Sequence, residues 1–331
     1  MKIGLINVYF GEFPNYFPIF LLSAAKNSNF DFLIFSDVEV DYDLPQNVKV
    51  IKTTFSQLKK RIQAILPFRI DLRVPYKLSD FKPIYGDLFS RELIGYTHWG
   101  YFDLDIVLGN LSNTISIKDL SNFDRIGDRG HLSIFKNTSS IVKSYLSDSG
   151  HLGFSCKEAF SSPRIFHFDE MWGINTFFNN LHTSKPLKND LTPGALFDTS
   201  VKRYPLVQAT HPKSTHFFIF EWQNGTLTGY AQDQKIEFSY LHLQKRKMSI
   251  LNLKKQVGQT DLSHLTDFCI DQNHFFVKPD LQGMAFIRAQ LDRQKMHWPE
   301  GDFSRLFKYY KNTVISGEQL SRCQLILKRK F

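Results

Sequence analysis

Phe102-Asp103-Leu104-Asp105 sets two carboxylates two residues apart on an extended, apolar run, so both side chains project to the same side of the chain. Carboxylates so arranged hold a hard divalent cation through oxygen, and a cation held there grips a diphosphate. The preceding Trp99-Gly100-Tyr101 buries the approach, and like charges beside a core strand are unfavourable without a cation. A solvated acidic pair is the competing reading. A second constellation is Tyr240-Leu-His-Leu-Gln-Lys-Arg-Lys247. Strand alternation puts Leu241 and Leu243 on one face and Tyr240, His242 and Gln244 on the other, so His242 is turned from the core and able to approach a metal. Lys245 and Arg246 just beyond are suited to neutralising phosphate oxygens. Alone, His242 reads as an ordinary cross-strand histidine; beside the aspartates it reads as a third ligand. Asp169 and Glu170 are expected to open a helix, whose amides favour an ionised carboxylate; this makes Asp169 also an N-cap candidate and Glu170 the preferred general base. His131 and His167 are candidates for contacts to an acceptor, each with a structural role as the alternative.

These residues need a frame that brings distant segments together. The N-terminal half alternates strand-like and helix-like stretches: strands at 2–9, 30–35 and 48–51, and helices at 17–26 and 56–66 with Ser56 as N-cap. That order predicts a mixed α/β sheet with parallel neighbours, which binds ligands at the carboxyl ends of its strands. The loops Tyr9-Phe10-Gly11 and Ser36-Asp37 then meet at one crevice. Leu78, Phe81, Ile84, Tyr85, Leu88, Phe89 and Leu93 predict an amphipathic helix over 77–94, entered or kinked at Pro83, followed by an apolar strand through residues 98–108. From His216 the pattern becomes a β-meander turning at Asn224-Gly225. Residues 1–250 are read as the catalytic domain and 251–331 as a basic C-terminal extension serving acceptor, membrane or oligomer contacts.

With 331 residues, 42% of them hydrophobic, the chain has material for a large core, which excludes overall disorder. Cys156, Cys269 and Cys323 are odd in number and far apart, so no disulfide framework or thiolate zinc site is expected, and a reducing cytoplasm is the natural compartment. No stretch near the N-terminus has the length of a membrane span or the form of a signal peptide. The net charge of +9 points to an acidic partner. No zinc-finger or RNA-recognition pattern is present, so nucleic acid is not the expected one. An anionic membrane surface is a further candidate, met by Lys254, Lys255, Lys328, Arg329 and Lys330 together with the aromatic stretch around Phe303–Tyr310.

Five blocks in order, Tyr76-Lys-Leu-Ser-Asp-Phe-Lys-Pro-Ile-Tyr-Gly86, Trp99-Gly-Tyr-Phe-Asp-Leu-Asp-Ile-Val-Leu-Gly109, Gly130-His-Leu-Ser-Ile-Phe-Lys-Asn137, Phe168-Asp-Glu-Met-Trp-Gly173 and Tyr240–Met248, resemble bacterial GT-A-type glycosyltransferases of capsule and O-antigen synthesis. The resemblance implies a Rossmann-like fold and metal-dependent transfer of a hexose from a nucleotide sugar, UDP-galactose in pyranose or furanose form or UDP-glucose, to a glycan or lipid-linked glycan. It implies Asp103, Asp105 and His242 around Mn²⁺ or Mg²⁺, with Asp103 also near the ribose. It further implies that Tyr9, Phe10, Gly11 and Asp37 receive the uridine, and that Lys77 and Asp80 meet the donor sugar or its phosphates. Asp169 and Glu170 fall where the base of an inverting enzyme is usual. A Mg²⁺-dependent sugar-phosphate or nucleotidyl transferase and a non-catalytic carbohydrate-binding protein are the alternatives; the absence of a Gly-rich phosphate loop argues against the first.

Overall fold

The computed structural model describes residues 1–40, 43–147, 153–170, 173–185, 190–193, 206–208, 216–217, 219–230, 235–243, 248–250, 262, 265–271 and 274–277. Lys245, Arg246 and the basic and aromatic residues beyond 277 lie outside them. The first strands form as their apolar alternation requires: β1 (Ile3–Tyr9), β2 (Phe30–Ser36) and β3 (Val48–Lys52) are mutually parallel, and β4 (His98–Phe102) joins β1 on its other side, also parallel. Next in the chain come β5 (Ile106–Leu108), β6 (Arg125–Arg129), β7 (Leu132–Lys136) and β8 (Ser184–Lys185). The central sheet runs β3-β2-β1-β4-β7-β6-β8, with β7 antiparallel to both its neighbours. This is the expected mixed α/β sheet flanked by helices.

Period-2 alternation divides its side chains between two cores. Ile6, Leu33 and Phe35 face one core, which contains Leu58 and Ile62 of helix α2 (Phe55–Ile65). Ile3, Leu5, Phe32 and Ile34 face the other, beneath Phe17 and Phe20 of helix α1 (Phe17–Ala25). The other side of α1, with Ile19 and Leu22, packs on the meander core around Phe220, Trp222 and Phe268, so α1 is apolar all round because it is covered all round. The cap of α2 is Thr54 rather than Ser56, in a reciprocal capping box with Gln57.

The remaining strands are β9 (Asp190–Pro193), β10 (Leu206–Gln208), β11 (His216–Phe217), β12 (Ile219–Gln223), β13 (Thr226–Tyr230), β14 (Lys235–Phe238), β15 (Tyr240–His242), β16 (Asp267–Ile270) and β17 (Phe275–Phe276). One sheet runs β11-β10-β9-β15-β5 and the meander sheet β14-β13-β12-β16-β17, so two strands past residue 250 pair into the latter. Asn224 and Gly225 turn the hairpin at φ 45° and 97°, as a tight turn between twisted strands requires.

Two expectations fail in ways that matter for function. The strand foreseen through 98–108 breaks at Asp103–Asp105: β4 belongs to the central sheet, whereas β5 pairs antiparallel with β15 in another. The foreseen helix over 77–94 is a chain of short turns, Pro75–Lys77, Leu78–Phe81, Lys82–Ile84 and Tyr85–Leu88, alternating 3₁₀ and α geometry. Pro83 lacks the N–H to continue an α ladder, and 3₁₀ bonding carries the segment past it.

Gly100 in β4 lies where a Cβ would come 2.2 Å from the Ser133 carbonyl oxygen and 2.7 Å from Leu5 Cδ2. We predict that Gly100→Ala destabilises the fold by about 2–3 kcal/mol through overpacking, measured by urea denaturation. A change below about 0.5 kcal/mol would show that β4 and β7 separate without cost.

Candidate active site

The break between β4 and β5 is what makes the site. Because the chain changes sheets there, Asp103 stays at the carboxyl end of the parallel strands while Asp105 is carried to β15. The β15 register sets His242 opposite Ile106, one residue past Asp105, and the Leu243 amide donates to the Asp105 carbonyl at 2.7 Å. One oxygen each of Asp103 and Asp105 and one ring nitrogen of His242 lie within 4.8 Å of one another. His242 Nε2 is 3.4 Å from Asp105 Oδ1 and 4.0 Å from Asp103 Oδ2. Two carboxylate oxygens and an imidazole nitrogen are a donor set that fits Mn²⁺ or Mg²⁺. As alternation foresaw, Leu241 and Leu243 share a face, in the meander core, but the opposite face is not turned from the core: Tyr240 sits in the core under α1 and His242 is buried as well.

The ring of His131 stacks on His242 with centroids 4.0 Å apart and planes at 15°. Its Nδ1 pairs with Tyr240 Oη at 2.8 Å, and its backbone carbonyl accepts the Asp103 amide at 3.0 Å. Expected as an acceptor contact, it lines the cleft at 6% exposure and braces both Asp103 and His242. Burial, with the charges of His242 and Arg129, holds its pKa well below the ordinary histidine value and keeps it neutral. Burial would also lower His242, but Asp105 and then Asp103 outweigh it and raise its pKa.

Sequence reasoning missed Lys82. Its ammonium reaches Asp103 Oδ1 and the Gly130 carbonyl, both at 2.7 Å, and Asp169 Oδ2 at 3.3 Å. Burial opposes its charge, yet Asp103 and Asp169 hold its pKa well above the ordinary lysine value. The signal was present: Lys82 stands four residues after Leu78 and three before Tyr85, inside an apolar stripe where a cation must find carboxylates. Lys77 and Asp80, expected at the donor, are instead a closed internal pair. Lys77 Nζ is 2.6 Å from Asp80 and also donates to the Ala159 and Arg164 carbonyls, while Asp80 accepts the Phe166 and Phe168 amides. With 1% and 0% side-chain exposure they line no cleft; they pin the segment that leads to Asp169 and Glu170.

Asp169 and Glu170 do not open a helix; they lie in a turn, and the helix begins at Ile174, whose amide bonds to the Phe168 carbonyl. The Asp169 carboxylate is buried against Lys82 and Gly130, where a Cβ would come 2.3 Å from Oδ2, so only glycine leaves room for it. Burial raises the Asp169 pKa against the pull of Lys82, and the Glu170 charge adds to the rise. Glu170 goes the other way: the His167 hydrogen bond and charge, then Arg129 and the Gly130 amide, overcome burial and keep it ionised. His167, at φ 51°, is 3.5 Å from Glu170, which raises its pKa despite burial.

A cleft of about 890 Å³ opens over this centre, lined among others by Tyr9, Phe10, Tyr76, Asp103, Asp105, His167, Asp169, Glu170 and His242. Next along the chain from Phe10, the Gly11 amide donates to Asp37 at 3.2 Å, with Gly11 at φ 97°, so the two foreseen loops do meet.

Residues 5–279 match the family described as a family of unknown function, DUF6625. The chain belongs to that family. No curated protein sequence matches this DUF6625 member. Among solved structures it is similar to the galactosyltransferase LgtC in complex with donor and acceptor sugar analogs, at 8% identity and TM-score 0.33 over 57% of this chain and 75% of that one. It is also similar to the glycosyltransferase GlyE of Streptococcus pneumoniae TIGR4, at 10% identity and TM-score 0.29 over 56% of this chain and 45% of that one. Likeness at that level carries no argument about activity, which rests on the site.

We predict that Asp80→Ala costs about 3–5 kcal/mol of stability by leaving the Lys77 ammonium buried without its carboxylate. The Lys77→Met/Asp80→Leu double variant should cost clearly less in the same denaturation experiment; an equal cost would assign the loss to packing. The raised pKa of His242 gives a second test. In the metal-free protein its pairing stabilises the fold below about pH 6.5, the ordinary histidine value, and that contribution is lost as pH rises through its higher folded pKa. A metal needs the neutral imidazole, so Mn²⁺ affinity should rise over the same interval, and His242→Ala should flatten both trends in calorimetry.

Proposed function

We propose that the chain is a metal-dependent glycosyltransferase that moves a hexose from a nucleotide sugar to a glycan acceptor. The observation that carries this reading is the convergence of Asp103, Asp105 and His242 within 4.8 Å on the wall of a cleft that Asp169 and Glu170 also line. A divalent cation bound by these three residues supplies charge neutralisation for a departing diphosphate. The chain's own residues do the rest. Lys82 holds Asp103 with one oxygen turned toward His242. Tyr9 and Phe10 offer an aromatic wall for a base, and the Gly11 amide next along the chain is held by Asp37. Glu170, ionised and lining the cleft, accepts the proton of an attacking acceptor hydroxyl in an inverting displacement. Asp169 is the poorer base, since its Oδ2 faces Lys82 and burial favours its protonated form.

The finer reading assigns UDP-galactose, in pyranose or furanose form, or UDP-glucose as donor, Mn²⁺ or Mg²⁺ as cofactor, and a lipid-linked surface polysaccharide as acceptor. It places the chain in the cytoplasm, drawn to anionic membrane by its basic C-terminal residues. No helix among the described residues is long and apolar enough to cross a membrane. The test is a panel of UDP-, GDP- and CMP-sugars with Mn²⁺, following donor hydrolysis and transfer. We predict that Asp103→Ala and Asp105→Ala each lower UDP-sugar turnover at least 10²-fold, Asp105→Ala with little change in melting temperature and Asp103→Ala with a lower one because buried Lys82 loses a carboxylate, and that chelation lowers wild-type turnover to the same extent. Full turnover by Asp105→Ala in the presence of chelator would sink the metal role.

A further inference from the structure

Arg125, on β6, takes no part in the site chemistry, yet it is a guanidinium at 1% exposure with no carboxylate within ion-pair distance among the described residues. Its Nε has no hydrogen-bond partner there either, and the rings of Phe135 and Phe178 lie 5.3 and 5.7 Å from its central carbon. A buried cation is costly, so what it holds is informative.

It holds two side chains, Ser133 and Asn175. Arginine has donors only, so each partner must accept from it, and that fixes which way each partner's own hydrogens point. The Ser133 hydroxyl accepts from Arg125 at 3.2 Å, leaving its proton for the Gly127 and Arg129 carbonyls at 3.1 and 2.9 Å. Asn175 presents Oδ1 to Arg125, so its Nδ2 is turned outward and donates to the Asp128 carbonyl at 2.7 Å. Three consecutive carbonyls, at a point where the β6–β7 register shifts around Gly127 at φ 86°, are thus gripped through one cation. The next two residues are the ones the site uses: Gly130 bonds Lys82 and Glu170, and His131 accepts the Asp103 amide and stacks on His242.

We infer that Arg125 is a positioning residue: by setting the hydrogen-bond polarity of Ser133 and Asn175 it fixes the 127–129 turn, and through it the placement of Gly130 and His131 against the metal-site residues. The claim about geometry stands apart from the proposed activity; its expression in metal affinity rests on that reading. The discriminating variant in the full-length chain is Asn175→Asp, which keeps an acceptor for Arg125, now charged, but loses the donor to Asp128. The expected result is a melting temperature equal to or above wild type, while the amides of 128–131 and of Asp103 exchange with deuterium at least 10-fold faster and Mn²⁺ affinity by calorimetry falls at least 5-fold. Arg125→Lys, whose single ammonium cannot reproduce the planar fork, should show the same loosening together with lower stability. Unchanged exchange in Asn175→Asp at unchanged stability would overturn the inference and leave Arg125 a packing residue. If the wild type takes up no Mn²⁺, the metal reading fails, and the exchange measurement still decides the positioning role.

Discussion

One ammonium group organises this site. Lys82 spends its donors on Asp103, on the Gly130 carbonyl and on Asp169, contributed by a strand end, a turn and a loop far apart in sequence. Without it, part-exposed Asp103 would lose its ion-pair partner and buried Asp169 the cation that most opposes the rise of its pKa with burial. With it, both carboxyl groups have fixed directions before any ligand arrives. Its surroundings make sense in these terms: glycine at 130 leaves space for Asp169, and the Tyr101 hydroxyl donates to the Asp169 carbonyl at 2.7 Å and steadies the backbone behind it.

The same logic appears one layer further in. Lys77 and Asp80 satisfy each other and four backbone groups, so the chain around Arg164–Phe168 is tied to the turns that carry Lys82. A buried pair of this sort contributes little net stability, because desolvation offsets most of the attraction. What it supplies is register: the loop bearing Asp169 and Glu170 cannot slide relative to Lys82 without stranding a charge. Arg125 plays a comparable part for the turn on the opposite side of Gly130. The site is held by internal cations on both flanks, and its own carboxylates remain available for a ligand.

How much of this was legible depends on what kind of signal each residue leaves. The parallel strands and α1 were readable because apolar alternation and an all-apolar helix follow directly from burial on two faces. Asp103, Asp105 and His242 stood out only in combination, since an acidic pair or a histidine alternating with leucines is common by itself, and the structure brings the three together. The role of Lys77 was misread because a basic residue near an acidic one looks the same in sequence whether it faces phosphate or the interior. Lys82 went unnoticed although its place in the apolar stripe of Leu78, Tyr85 and Phe89 marks it as buried. The break of the 98–108 run into two sheets left no local trace: the decision lies in the pairing of β5 with β15, more than 130 positions downstream. Long-range pairing also hides the helix start at Ile174, since Asp169 is a good cap by type and is drawn instead to Lys82.

The charge at the centre constrains the order of events on the proposed reading. Among the described residues Asp103 and Asp169 share Lys82, Asp105 pairs with His242, Glu170 is held by His167 and the charge of Arg129, and His131 is kept neutral. A nucleotide diphosphate is itself an anion, and its entry into such a cleft is opposed by every one of these carboxylates that remains ionised. The described basic residues of the centre are already committed: Lys77 and Arg125 to internal partners, Lys82 to three acceptors, and His167 and Arg129 to Glu170. The overall charge of +9 therefore attracts an anionic donor toward the molecule without making the centre itself welcoming. On the proposed reading a donor would reach the Asp103, Asp105 and His242 wall in company with a divalent cation, either following it or carrying it. On that reading, discrimination against diphosphates without metal follows from the same carboxylates that would hold the cation.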